Sequence, residues 1–181
     1  MTGIILETTR LRLEPWAPAH LDALSEMSTD PQVMRYLGGV LRSKDETAAS
    51  IERQQARWAA HGFGWWSFFE KATDELVGTG CIQHLAGNVD NPLEIGWRLR
   101  PDRWGQGYAT EAAWTMGSFA FEQLKIPVLT AVAVPENMAS RRVMERLGMR
   151  FRGIERWYDM DVATYEITAA DWRTQRLSGV R

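Results

Sequence analysis

The chain has 181 residues, 45% of them apolar and 24% charged, with a formal net charge of −2. That length and composition fit one globular domain, and the charge excludes a global basic field that would draw nucleic acid or an anionic membrane surface. No apolar run approaches the roughly 18–20 residues of a membrane span, and the only cysteine, Cys81, excludes an internal disulfide and a cysteine-based zinc site. No metal is therefore expected. Met1 to Glu7 lacks a basic stretch and carries an early acid, so no secretion signal is read there and a cytoplasmic location is expected. Nine tryptophans stand out; most should serve as core or cavity wall.

Arg10 to Glu14 alternates and reads as a strand ended by Pro15. Pro18 to Met27 reads as a helix with Leu21, Leu24 and Met27 on one face, and a short helical piece follows from Asp30 to Leu37, where Asp30 caps and Pro31 opens. Ser43 with Glu46 forms a capping box for a longer helix to about Ala60. Trp65 to Glu70 and Leu76 to His84 read as two strands of a hairpin joined by Ala72 to Glu75. After a polar loop, Gly87 to Pro92, comes the strand Leu93 to Leu99. Gly107 to Leu124 carries Ala109, Ala113, Met116, Ala120 and Leu124 at helical spacing. Val128 to Val134 is rich in β-branched residues and is stopped by Pro135. Asn137 to Leu147 is a helix with Val143, Met144 and Leu147 inward and Gly148 at its end. Strands over about Arg150 to Trp157 and Met160 to Ile167 and a terminal helical turn complete the chain. Strand, helix, strand around residues 93–134 implies a parallel pair inside an otherwise antiparallel, mixed α/β sheet.

The chemistry concentrates where the strand ending at Leu99 runs into Pro101, Gly105 and Gly107 and a helix starts at once. Amides of a glycine loop at a helix N-terminus converge on an anion. A dinucleotide fingerprint needs a glycine where Thr110 stands, and a nucleotide P-loop needs a closing Gly-Lys-Ser/Thr that is absent. A tight turn with no ligand remains the plain alternative for the loop alone.

The loop has company. Glu94-Ile95-Gly96-Trp97 ending at Pro101, Trp104-Gly105-Gln106-Gly107-Tyr108-Ala109 followed by Thr110-Glu111-Ala112, and Asn137 with Ser140 and Leu147-Gly148-Met149 occur in this order. Together they resemble the GNAT superfamily of N-acetyltransferases over nearly the whole chain. Thr8-Thr9-Arg10-Leu11-Arg12-Leu13 before Pro15-Trp16 is similar to the branch containing ribosomal-protein N-terminal (alanine/serine) acetyltransferases. The resemblance implies a single acyl-CoA N-acyltransferase domain over 1–181. It implies a central, mostly antiparallel sheet splayed at 93–99 and 128–134, flanked by helices, with acetyl-CoA as cofactor.

On that footing the cofactor's pyrophosphate should meet Trp104, Gly105, Gln106, Gly107, Tyr108, Ala109 and Thr110, its pantetheine arm the strand edge at Arg98, Leu99 and Arg100, and Asn137 the same arm. Glu94 is the expected general base and Ser140 the expected proton donor or thiol contact, in direct attack within a ternary complex. Plain structural roles compete: an exposed strand residue for Glu94, an N-cap for Asn137, a first-turn serine for Ser140 and packing for Tyr108. His84 is an outside candidate for base; His20 and His61 read as surface residues, and Cys81 as a packing residue. Met34, Tyr36, Leu37, Trp65, Trp66, Trp157 and Tyr158 are expected along the acceptor wall. Two departures from the family stand out: Trp104 begins the loop where a polar residue is usual, and Met144 occupies the place of a proton-donating tyrosine. The expected partner is an amine acceptor, first a protein or peptide N-terminal α-amine, then a small amine or amino acid; a non-catalytic acyl-CoA binding module is the competing class. No nucleic acid or membrane partner is expected, and the chain is expected to be a monomer or homodimer.

Overall fold

The computed structural model describes residues 3–177, so Met1 and Thr2 of the leading segment lie outside the described residues. The strands are β1 (Leu6–Glu7), β2 (Leu11–Pro15), β3 (Trp65–Glu70), β4 (Leu76–His84), β5 (Leu93–Leu99), β6 (Val128–Ala133), β7 (Arg150–Trp157) and β8 (Met160–Thr168). The helices are α1 (Leu21–Thr29), α2 (Pro31–Met34), α3 (Lys44–His61), α4 (Tyr108–Glu122), α5 (Met138–Arg146) and α6 (Ala169–Leu177). Hydrogen bonding orders the strands β1-β2-β3-β4-β5-β6-β8-β7 in one mixed sheet flanked by helices. Its β5/β6 pair is parallel; β1/β2, β2/β3, β3/β4, β6/β8 and β7/β8 are antiparallel.

The chain forms two compact units that share β4 and β5. The first runs to Cys81 and takes up Trp97–Tyr108. Its core gathers Trp16, Leu24, Met27, Val33, Ile51 and Leu76, with Leu21, Trp65 and Phe69 packed against them. Three tryptophans of this unit are buried with the indole N–H satisfied. Trp16 donates to Thr79 Oγ1 at 2.7 Å, Trp58 to Trp65 O at 3.2 Å and Trp66 to Ile4 O at 2.8 Å. Helix α3 begins at the expected capping box, Ser43 Oγ accepting from Glu46 N at 3.1 Å and Glu46 Oε2 from Ser43 N at 2.7 Å.

The second unit is Ile82–Gly96 with the chain from Ala109 onward. Ala112, Ala113, Met116, Phe119 and Ala120 of α4 are buried. Gly117 on that helix lets Trp172 of α6 approach, since a Cβ there would lie 2.5 Å from the indole. Leu93 pairs with Leu129 and Glu94 with Thr130, and Thr130 Oγ1 donates to Leu93 O at 2.7 Å. No further β5–β6 pair forms among the described residues, although both strands continue, so the sheet parts after Glu94.

Several expectations change. The first helix opens as a 3-10 turn over Pro18–His20 before α1, and the second stops at Met34 rather than Leu37. The two-residue β1 carries too little pattern to be read from sequence. His20 is buried, its ring edge-on to Phe69 at 5.0 Å and its Nε2 3.5 Å from Glu14. Burial lowers its pKa below the ordinary histidine value, against the opposing pull of Glu14.

Candidate functional site

In the first unit β5 delivers Leu99 to the loop. Arg100 N donates to Val77 O at 3.0 Å, and a Cβ on Gly78 would lie 2.8 Å from Arg98 O. Main-chain groups alternate sides along a strand, so the polar backbone of Arg98 and Arg100 faces β4 and that of Leu99 the opposite edge. Of the three residues expected to offer an edge to an extended ligand, only Leu99 presents its N–H there. The indole of Trp104 donates to Leu99 O at 3.0 Å while the residue stays 49% exposed.

The loop is held from below. Gly105 and Gly107 adopt φ of +73° and +83°, a region that costs an L-residue about 1–2 kcal/mol. Arg10 Nη1 donates to Gln106 O at 3.0 Å and Gln106 Nε2 to Asp102 O at 3.0 Å. The Tyr108 hydroxyl donates to the Glu70 carboxylate, and the Arg10 guanidinium lies 4.3 Å from the centre of the Tyr108 ring. Tyr108 is thus an anchor, and its hydrogen bond holds Glu70 below and Tyr108 above their ordinary pKa values. A Cβ at Gly105 would meet nothing within 4 Å. Thr110, in the first turn of α4, has a sealed hydroxyl without a partner among the described residues. Open space over the positive-φ Gly105 fits the close approach of a phosphate of acetyl-CoA.

The same unit holds an unexpected group. Arg98 Nη1 reaches Met34 Sδ at 3.2 Å, Nη2 reaches Ser28 Oγ at 3.3 Å, and Nε is sealed with no partner among the described residues. Desolvation, helped by the charge of Arg42 and opposed by Cys81, brings its pKa down to about 10. Of the residues expected on the acceptor wall, Met34 is therefore buried against Arg98. Tyr36 is half-buried beneath Arg35, Leu37 is exposed, and Trp65 is half-buried against Trp16 at 5.1 Å. Trp66 is wholly enclosed, edge-on to Trp58 at 4.9 Å, so it is a core residue and lines nothing.

In the second unit Glu94 is buried, 6% exposed, not a solvated strand residue. Gln83 Nε2 donates to its Oε1 at 2.7 Å and the Tyr158 hydroxyl donates to the same oxygen. Gln83 also donates to Tyr158 OH at 3.2 Å. Burial raises the Glu94 pKa above its ordinary value, and the two hydrogen bonds oppose that rise. A carboxylate so poised takes a proton more readily than a solvated one. Tyr158 reaches it from the two-residue turn between β7 and β8, where Tyr158 and Asp159 have φ of +54° and +59°. A bulky residue in that region is an outlier worth a functional explanation.

Asn137 caps α5, its Oδ1 accepting from Ser140 N at 3.2 Å, which leaves the amide Nδ2 able to donate. Ser140 Oγ makes no hydrogen bond among the described residues and is half-buried. Met144 is buried and has no proton to give. Arg141 fixes this helix start, donating to Pro135 O at 3.1 Å and Tyr165 OH at 3.1 Å. Trp157 is half-buried and donates to Glu155 Oε2 at 2.9 Å. His84 Nδ1 lies 3.3 Å from Asn91 O, Cys81 is buried, and His61 is exposed.

The structure therefore joins Glu94 to Tyr158, and Met34 to Arg98. Sequence reasoning missed Gln83, Arg10 and Ser28. For Gln83 alternation offered a weak signal, as it is one strand away from Glu94 across a hairpin; Ser28 gave none. Among the described residues no cluster of acids, histidines or cysteine fit to hold a metal occurs, and no helix is long and apolar enough to cross a membrane.

The profile described as "Acetyltransferase (GNAT) domain" matches residues 10–150. The uncharacterized protein YkkB of Bacillus subtilis (strain 168) is 31% identical over 166 residues, covering 91% of this chain and 95% of that protein. The FsC-acetyl coenzyme A-N(2)-transacetylase of Aspergillus fumigatus is 32% identical over 153 residues, covering 80% of this chain and 64% of that protein. Among solved structures, an acetyltransferase from Agrobacterium tumefaciens is similar with a TM-score of 0.79 and 28% identity, covering 92% of this chain and 95% of the other.

Proposed function

We propose, for a chain that belongs to the GNAT family of acetyltransferases, that Glu94 is the general base of acetyl transfer to a primary amine, foremost a peptide N-terminal α-amine. The protein is an acetyl-CoA-dependent N-acetyltransferase; the base, the remaining site residues and the acceptor are our reading. The buried Glu94 carboxylate under its two donors carries it.

Bound acetyl-CoA supplies an acetyl thioester. The amides from Gly105 to Thr110 would hold its pyrophosphate, with Arg10 bracing Gln106 of that loop, and Asn137 Nδ2 would donate to the pantetheine arm. An acceptor amine must lose a proton, its pKa lying at ~7.7–8.0 for an α-amine and ~10.4 for a lysine-like one. Glu94 takes that proton on Oε2, because Gln83 and Tyr158 both occupy Oε1. The Leu99 N–H would donate to the acetyl oxygen as negative charge gathers there. A thiol pKa of ~8.5 lets the thiolate leave with modest help, which Ser140 Oγ supplies in place of the tyrosine that Met144 replaces. The attack is direct, in a ternary complex, with no acetyl-enzyme. We read the whole chain as one N-acetyltransferase domain.

Tyr158, exposed and bonded to Glu94 within the second unit, supports a peptide end as acceptor, its ring offering apolar surface beside the base. A small-molecule amine is the second reading, favoured by the relative whose name gives N(2) of FsC as its acetylation position. The test is free-thiol release from acetyl-CoA over a panel of peptides and small amines, with mass spectrometry locating the acetyl group. Acetylation of peptide α-amines is expected. Tight acetyl-CoA binding with no thiol released by any amine would favour a non-catalytic binding module instead.

A further inference from the structure

We propose that Arg10 is a positioning residue for the thioester donor. It pins the Gln106–Gly107 peptide in one direction, with the Gly107 N–H turned to where a phosphate docks, and so makes the protein select donors that carry phosphate. The proposal rests on the reading that acetyl-CoA sets its pyrophosphate on this loop, and adds the residue that prepares the loop for it. Arg10 belongs to the opening motif at 8–13, which takes no part in the acetyl-transfer steps.

Glycine makes a pin necessary. Turning one peptide plane over changes ψ of the residue before it and φ of the residue after it. A residue with a side chain resists that change of φ; glycine enters positive and negative φ about equally readily. Gly105 and Gly107 stand on either side of Gln106 at φ of +73° and +83°. Unheld, the peptide that ends at Gly107 could turn over at little cost, and an N–H facing the wrong way binds no phosphate. Arg10 Nη1 donates to Gln106 O at 3.0 Å. The C=O and N–H of a trans peptide point in opposite directions, and no peptide bond among the described residues is cis. The Gly107 N–H is therefore held on the side of the loop away from that guanidinium nitrogen. The reversed peptide would set N–H against N–H, donor facing donor, so the guanidinium selects a single direction.

Arg10 is itself fixed, and every group that fixes it lies in the first unit. Its carbonyl accepts from Lys71 N at 2.9 Å beside the β2/β3 pair. Its guanidinium lies 4.3 Å from the centre of the Tyr108 ring, and its Nη2 would be 3.5 Å from a Cβ on Gly107. Leu11, the next residue, pairs with Glu70, and the Glu70 carboxylate accepts the Tyr108 hydroxyl. Arg103 Nη2 stands 3.6 Å from Glu70 Oε2. Two paired strands thus hold the loop at Gln106 O and at the Tyr108 hydroxyl, one point on each side of Gly107. A hydrogen bond from a charged donor is the stronger kind, which suits Arg10 for the pin.

The experiment titrates CoA calorimetrically into wild type, Arg10→Met and Tyr108→Phe. It then measures thiol release from acetyl-CoA and from S-acetylpantetheine, which carries the same thioester without phosphate. Arg10 is exposed, so Arg10→Met should keep the wild-type Tm. Its CoA affinity should fall by about 10- to 100-fold, the scale of a hydrogen bond to a charged group. KM for acetyl-CoA should rise by the same factor with kcat near wild type. The kcat/KM for S-acetylpantetheine should not change, so the preference for the phosphate-bearing donor collapses. Tyr108→Phe gives up the second hold and should move the same way by a smaller factor. The loss in Arg10→Met should persist at high salt, because the pin is a short-range contact to a neutral carbonyl, whereas attraction between exposed charges is screened. Unchanged CoA affinity in Arg10→Met, or equal losses with both donors, would overturn the inference and leave the acetyl-transfer reading standing. A loss that vanishes at high salt would also overturn it, making Arg10 a direct partner of the phosphate. Wild type that binds no CoA would overturn the inference and the reading together.

Discussion

Replacing Glu94 by glutamine separates its charge from its shape. Glutamine keeps a carbonyl oxygen where Oε1 accepts from Gln83 at 2.7 Å and from Tyr158, and puts an NH2 where Oε2 would take the proton. Packing and the two donors remain; only basicity is lost. A positioned general base is worth about 10²–10⁴-fold, so kcat should fall by that factor while acetyl-CoA binding stays near wild type. Stability should move the other way. Burial is the largest influence on Glu94 and holds its folded pKa above the ordinary carboxyl value. A raised carboxyl favours the protonated form in the fold, so its contribution is fully present below the unfolded pKa. It is lost as pH rises through the folded one. Glutamine does not titrate. Glu94→Gln should therefore match wild type in acid and exceed its Tm at neutral pH. Stopped-flow thiol detection, calorimetry and thermal scans across pH measure all three quantities. Wild-type turnover in Glu94→Gln would remove the base assignment, and a variant less stable than wild type at neutral pH would refute the reasoning about burial.

Tyr158→Phe removes a donor that stabilises ionised Glu94, so the acid limb of the kcat/KM profile should shift to higher pH; an unmoved limb would detach Tyr158 from the base. Gly107→Ala forces an L-residue at φ +83°, and isothermal titration should find acetyl-CoA binding weakened about 5- to 30-fold, from a cost of ~1–2 kcal/mol. Thr79→Val strands Trp16 Nε1 and Trp66 O, which the hydroxyl now serves at 2.7 and 2.5 Å. Chemical denaturation should show a loss of about 2–4 kcal/mol, from the unsatisfied-group penalty, with turnover per folded molecule unchanged.

Elements governed by short-range pattern were legible from residues alone. The alternation of Trp65–Glu70, the Ser43/Glu46 box and the β-branched run at Val128 fixed β3, α3 and β6 to within a residue or two. The parallel pair of β5 and β6 followed from the helix between them. Glu94 was legible as a candidate through the family motif, but its burial was not, because burial depends on Gln83 and on a tyrosine 64 residues away. Tyr158 gave no turn signal, since two-residue hairpins favour Asn-Gly or Asp-Gly there. Trp66 was misread because a strand's two faces look alike when both carry tryptophan, and only pairing across the sheet decides which is enclosed. His20 was misread because a histidine packed on a phenylalanine edge looks polar in sequence. Arg98 looked like an edge residue; its lack of an acidic partner is visible only when α1 and α2 are folded against it.

A crystal structure of the protein grown with acetyl-CoA tests the account most directly. The pyrophosphate is expected on the main-chain nitrogens between Gly105 and Thr110, the acetyl oxygen near the Leu99 N–H, and the Glu94 carboxylate facing the thioester. Acetyl-CoA bound elsewhere on the chain, or bound with its thioester remote from Glu94, would contradict it.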